Sequence, residues 1–198
     1  MSKFLGTYYE VAYHDYTQPI GVCGCQRSLK SLVNEHVFDD FTLNCGSNTD
    51  NNAHSHTYHN NLTFATTDTP GYFVGKWPIV SAIAFPDTLV DFGAVNADGQ
   101  YSWVLEFQCV ETFGHIDFVG VNFYSSVKTH DFLEEMKASA TAHGIDEYIY
   151  AGNNLTLVDQ TGCQYNNTKL LPPYEDAQDF AEFQEIIEME NLMLEFTQ

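Results

Sequence analysis

Polar and apolar positions alternate over short stretches along most of the chain, then shift to helical spacing near its end. Period-two stretches fall at 8–14, 25–33, 37–45, 57–66, 72–77, 88–95, 101–109 and 116–123, which predicts eight strands. Val37, Phe41, Leu43 and Cys45 alternate with Asp40, Thr42 and Asn44 in the third of them. Turn chemistry separates neighbours: a polar stretch at 47–52, Pro70-Gly71, and Ala97-Asp98-Gly99. One clear helix follows the strands, with Asp131 as its predicted cap and Glu134 three residues later. Leu133, Met136 and Ala140 form its narrow apolar stripe, and Gly144 stands at its end. Strands recurring at this rate, then one helix, then Cys163, predict an all-β fold. The expected architecture is an eight-stranded antiparallel up-and-down barrel with one α-helix on its wall.

A second helical pattern lies beyond Leu170-Leu171-Pro172-Pro173. From 177 to 196, Phe180, Phe183, Ile187 and Leu194 share one face, widened by Ile186, Met189 and Met193. Glu182, Glu185, Glu188 and Glu190 occupy the rest. The predicted organisation is therefore a barrel domain at 1–168 and an acidic amphipathic extension at 169–198. Docking of that helix on its own barrel or on another subunit, in a homo- or hetero-oligomer, is expected over a solvated tail.

Charge narrows the partners. The 198 residues carry 7 Lys+Arg against 27 Asp+Glu, a formal charge of −20, so nucleic acid and anionic membrane surfaces would repel the chain. No apolar run reaches the length of a membrane span. With 15 Phe and 12 Tyr there is aromatic surface enough for a core and for lining a cavity. Cys23, Cys25, Cys45, Cys109 and Cys163 show no zinc-finger spacing and are expected to form disulfides, with at least one left over. Sequons begin at Asn61, Asn154 and Asn166, and with the cysteines they predict a secreted glycoprotein. Met1-Ser2-Lys3 sits almost directly on the first strand, so the expectation is that a signal segment was either removed or never present.

Several segments resemble the lipocalin family, and within it the apolipoprotein D and pigment-binding branch. Gly6-Thr7-Tyr8-Tyr9-Glu10 is similar to the family's Gly-X-Trp-Tyr-Glu signature, with Tyr8 at the Trp position. Ala97-Asp98-Gly99-Gln100-Tyr101 resembles its Thr-Asp-X-X-Asn-Tyr turn. Phe113-Gly114-His115-Ile116-Asp117-Phe118 resembles the entry to the last barrel strand, and the helix, Val158-Asp159-Gln160 and Cys163 follow in the family's order. The resemblance covers roughly residues 4 to 165. It implies barrel closure at Gly6 and Tyr8, with Tyr124 where the family carries an Arg. It also implies a bond from Cys163 to Cys25 or Cys23, with Cys45, Cys109 and the remaining member of that pair competing for a second.

The resemblance further implies a ligand-binding interior. With Tyr124 inward at the closed end, strand parity turns Phe118, Gly120 and Asn122 inward, and the same reasoning points Trp103, Leu105 and Phe107 inward. Phe41, Leu43 and Phe64 join the expected ligand-binding set. The implied function is transport of a small hydrophobic ligand, favoured as a pigment (carotenoid or bilin), with no covalent cofactor. A lipocalin-type enzyme acting on a lipid or carotenoid is the alternative. Asp117, His115, Asp15 or Tyr13 would then supply acid/base chemistry, but no constellation singles out a catalytic residue. A structural or assembly protein using the C-terminal helix is the second alternative. His54 and His56 share strand parity and could hold a soft divalent metal, but a solvated hairpin tip is the simpler reading, so no metal site is assigned.

Overall fold

A computed structural model describes residues 1–18, 23–33, 35–45, 56–76, 84–150, 155–163 and 165, with backbone alone at 45 and 56–61. The strands are β1 (Gly6–Asp15), β2 (Cys23–Val33), β3 (His36–Cys45), β4 (His56–Thr66), β5 (Tyr72–Lys76), β6 (Ala84–Phe92), β7 (Trp103–Thr112) and β8 (His115–Ser125). Each pairs antiparallel with its successor, and β1 pairs with both β8 and β2, so the eight-strand sheet closes on itself. Closure leaves no long unpaired edge among these strands.

All eight expected strands are present, with the largest shifts of their bounds at β6 and β7. β6 starts at Ala84, because its ladder to β5 runs from Lys76↔Ala84 to Tyr72↔Thr88. Val95 and Tyr101 carry only an isolated bridge that closes the turn at the Ala97-Asp98-Gly99 segment.

The helix α1 (Leu133–Ala142) buries Leu133, Met136 and Ala140 on the barrel wall, as its stripe predicts. Its start differs from expectation. The N-cap is Phe132 and makes no side-chain cap bond, so Asp131 lies one residue too early to cap. Its end is a Schellman motif: Gly144 has φ +72°, its N–H donates to Thr141 O at 3.1 Å, and Ile145 N donates to Ala140 O at 3.0 Å. Ile145 then packs back on the same core. A short helix, α2 (Glu147–Tyr150), buries Ile149 beside it.

The chain end returns to the barrel as β9 (Thr156–Leu157), pairing with β1 at Ala12 and Tyr13. Here the β1–β2 ladder has stopped: it runs only from Gly6↔Lys30 to Tyr9↔Arg27. The Gln160 amide bridges the opening, donating to Glu10 O and Gln26 O, both at 2.8 Å. The Cys25–Cys163 disulfide staples the same junction across 138 residues of sequence. In the chain-entropy model a loop of that length stabilises by roughly 4–5 kcal/mol. Cys25 is thus one of the two positions the sequence left open for Cys163. Cys23 is also disulfide-bonded, and its backbone stands opposite Cys45 in the β2–β3 register. Cys109 is a free thiol, half-buried on the outer wall.

His54, the sequons at Asn154 and Asn166, and the extension at 169–198 lie outside the described residues. Asn61 stands opposite Asp40 in the β3–β4 register.

Candidate functional site in the barrel lumen

Alternation sorts the strand residues into two faces, and the two buried clusters identify them. One cluster joins Val11, Ala12, Trp103, Leu105, Val121 and Phe123 to Leu133, Met136, Ala140 and Ile149, so it is the outer wall under the helices. The other joins Phe4, Tyr8, Val37, Phe41, Leu43, Leu62, Phe64, Phe73, Phe85, Val104 and Tyr124 from around the barrel, so it is the lumen.

One end of the lumen is plugged. A 3₁₀ turn (Ser2–Phe4) tucks Phe4 beneath the strands, its ring stacked on Phe73 with centroids 5.4 Å apart. Tyr8, fully buried, donates its hydroxyl to Lys3 O at 3.2 Å, and Tyr101 N donates to the same carbonyl at 2.9 Å. Gly6 begins β1 with φ +127°, a backbone state open to glycine. A Cβ there would lie 2.5 Å from Gln100 Oε1, whose amide donates to Thr7 O at 2.9 Å. Gly6, Tyr8 and Tyr124 therefore all sit at this end of the molecule or in its inner cluster.

Lys30 is the cation of the plug. Its ammonium lies 5.0 Å from the Phe4 ring centre, 5.5 Å from Phe64 and 5.1 Å from Tyr124. It also pairs with Asp39 at 2.8 Å and Glu106 at 2.9 Å, while Ser28 Oγ donates to Asp39 at 2.8 Å. Burial alone would lower the Lys30 pKa, but Asp39, Glu106 and Asp87 outweigh it and raise the value, so the charge is held. Burial pushes Asp87 well above the usual carboxylate range and raises Glu106 as well, with Lys30 opposing. Gln108 Nε2 donates to Asp87 Oδ1 at 3.0 Å.

A second polar cluster lies farther along the lumen, centred on Glu10. Its Oε1 accepts from Asn122 Nδ2 at 2.7 Å and Gln18 Nε2 at 3.1 Å. Gln26 Nε2 reaches Gln18 Oε1 at 3.4 Å. Burial raises Glu10 well above its ordinary pKa, and raises the nearby Asp15. Burial also pushes Tyr13 up to about 12. Asp15 is held by its own turn, accepting from Thr17 N at 2.7 Å and Thr17 Oγ1 at 2.6 Å.

The expected ligand-binding residues divide accordingly. Phe41, Leu43 and Phe64 line the lumen, and Asn122 takes part in its polar cluster. Phe118 shares that face, since a Cβ on Gly120 would lie 3.1 Å from its ring. Trp103, Leu105 and Phe107 do not: they face α1 and α2, with Phe107 5.6 Å from the Tyr148 ring. The inward expectation for these three is corrected by the β7–β8 register. Val104↔Tyr124, Glu106↔Asn122 and Gln108↔Gly120 put the alternate set inside. Trp103, Leu105 and Phe107 are the apolar set of β7, and α1 and α2 make the outer face the drier one. Among the acid/base candidates, Asp15 and Tyr13 lie on the lumen side, while Asp117 and His115 are exposed at the β7–β8 turn.

Glu10, Lys30, Asp39, Asp87 and Glu106 were not anticipated. A usable signal existed for Glu10, which shares the parity of Tyr8 on β1, whereas the ladder alone fixes the parity of the other four.

No family model and no curated protein sequence matches the chain. Solved structures do. Lobster apocrustacyanin A1 superposes with a TM-score of 0.58 at 10% identity, over 80% of this chain and 78% of that one. The chain has the lipocalin fold. Apocrustacyanin C2 gives 0.59 at 11% identity over 81% and 79%. The siderocalin Ex-FABP, described as functioning through dual ligand specificities, gives 0.50 at 14% over 82% and 98%. Within this lipocalin barrel the plug has its own chemistry, with Lys30 held against Phe4, Phe64 and Tyr124. No group of three or more His, Cys, Asp or Glu side chains suited to a metal is found among the described residues. No described helix is long and apolar enough to cross a membrane.

Proposed function

We propose that this protein binds and carries a small hydrophobic molecule in its barrel. The observation that carries the reading is a lumen plugged at one end by Phe4 and Lys30, with Phe41, Leu43, Leu62, Phe64 and Phe85 on its inner face. An apolar ligand there would leave water at about 25 cal/mol per Å² of buried surface. A pigment, carotenoid or bilin, is the favoured class, supported by the motif resemblance and by the likeness to apocrustacyanins. The Cys25–Cys163 disulfide supports export to an oxidising compartment. An assembly role for the helix expected at 177–196 is the second alternative.

An absorption spectrum of natively purified protein tests the pigment class, since a visible band that co-purifies and is lost on denaturation is expected. The carrier role is tested by titrating a polarity-sensitive dye into the parent and into Phe41→Asp, where an unpaired carboxylate would stand against the ligand. Saturable binding that the variant abolishes is expected. Equal dye affinity in a folded variant would remove the lumen as the site. Turnover of a lipid or carotenoid by the purified protein would favour the enzymatic alternative, for which Asp15 and Tyr13 are the lumen-side acid/base groups.

A further inference from the structure

We infer that the Glu10 cluster recognises the protonated amine of an otherwise apolar ligand. The inference rests on the carrier reading and deepens it by naming the polar end of the ligand. Three side-chain atoms in this cluster lack a hydrogen-bond partner: Glu10 Oε2, Gln26 Oε1 and Asn122 Oδ1. Their residues are 0%, 1% and 3% exposed, so bulk water does not satisfy them. Gln26 Oε1 and Asn122 Oδ1 are acceptors, and Glu10 Oε2 is one when the carboxyl is ionised.

The imbalance is built into the network. The Asn122 and Gln18 amides are shared between Glu10 Oε1 and the Asp15 carboxyl, and that of Gln26 goes to Gln18. Rotating the Asn122 amide would set its oxygen against a carboxylate oxygen, so the donors are fixed where they are. The nearest lumen cation offers no remedy, because the Lys30 ammonium is bound to Asp39 and Glu106. Native interiors leave few buried polar atoms unpaired, and three on one cluster call for a partner with donors.

An ammonium fits on two counts. It brings three N–H donors to three acceptors, and it brings positive charge to a lumen where Glu10, Asp15, Asp39, Asp87 and Glu106 face one lysine. An alcohol brings one donor and no charge. A carboxylate adds a like charge to a low-dielectric space. Burial raises the Glu10 pKa despite the bonds from Asn122 and Gln18 that oppose the rise.

The test is a calorimetric titration of the full chain with decylamine, decanol and decanoate, each below its micelle concentration. Salt of about 0.5 M screens the attraction of any cation to a surface of net charge −20. Decylamine is expected to bind at least tenfold more tightly than decanol, with decanoate weakest. Glu10→Gln keeps the shape and one acceptor but removes the charge, so it should cut the preference for amine over alcohol by tenfold or more. Decanol affinity should stay within twofold. Equal binding of all three compounds by the parent would overturn the amine site and leave the carrier reading standing. Absence of binding by these compounds and by the dye would overturn both. The head-group series on the parent decides the question even where the variant fails to fold.

Discussion

Across β7 the barrel wall presents Trp103, Leu105 and Phe107 to the helices and Val104, Glu106 and Gln108 to the lumen. The outer cluster under α1 is apolar throughout, whereas the lumen holds an ion cluster and an amide–carboxyl network among its aromatic rings. In most sheets one face is dry and the other wet, and the dry one is read as the inside. Here a helix dries the outer face, and closure into a barrel makes the inner face a site for polar chemistry. The outer cluster works by volume and contact, so shape errors should damage it. The lumen works by compensation of charge, so loss of a partner should damage it more than loss of a methyl group.

Removing the plug cation should have the largest effect. Lys30→Met leaves Asp39, Asp87 and Glu106 buried with no counter-charge, and breaking such a cluster costs about 3–5 kcal/mol. Denaturant midpoints of parent and variant at pH 7 measure it. A loss below 1 kcal/mol would mean that the lumen carboxyls are already neutral.

Truncating the outer wall comes next. Met136→Ala empties a fully buried position and should cost roughly 2–5 kcal/mol through transfer and cavity terms. Ligand and dye affinity of the folded fraction should stay unchanged, because this side chain does not face the lumen. A change in affinity would show that the two faces are coupled.

Titration separates the faces in a different way. Glu10, Asp15, Asp87 and Glu106 all have pKa values raised by burial, so between the unfolded value of about 4 and the raised values the folded state binds more protons. Stability should therefore fall as pH rises through that window. Lys30 is raised too, so its contribution persists until strongly alkaline pH. Melting temperatures from pH 5 to 8 should decline, and Glu10→Gln should flatten the slope while Met136→Ala leaves it unaltered. A parent whose melting temperature rises over that range would contradict the sign.

The smallest effect on the barrel is expected from deleting 172–198, since both faces are built from described residues before that segment. Melting should shift by no more than a degree or two, while light scattering at matched salt should show a smaller assembly. An unchanged mass would rule out subunit contacts through that helix.

Alternation and turn residues made the eight strands legible, because each strand's pattern is local to its own few residues. The Schellman end of α1 was legible for the same reason, since Gly144 signals it within a single turn. Motif order placed Gly6, Tyr8 and Cys163 at their stations, and narrowed the Cys163 partner to two positions. Parity was another matter. The pattern of β7 says that one face is apolar, but only packing against α1 decides that this face lies outside. The pairing of Cys163 with Cys25, the opening of the β1–β2 ladder that Gln160 fills, and the acceptors left over around Glu10 all join residues more than a hundred positions apart. Local sequence determines which elements form, because propensity and alternation act over a few residues. Which charges meet inside the barrel was decided only when closure brought β1, β2, β3, β7 and β8 around one axis.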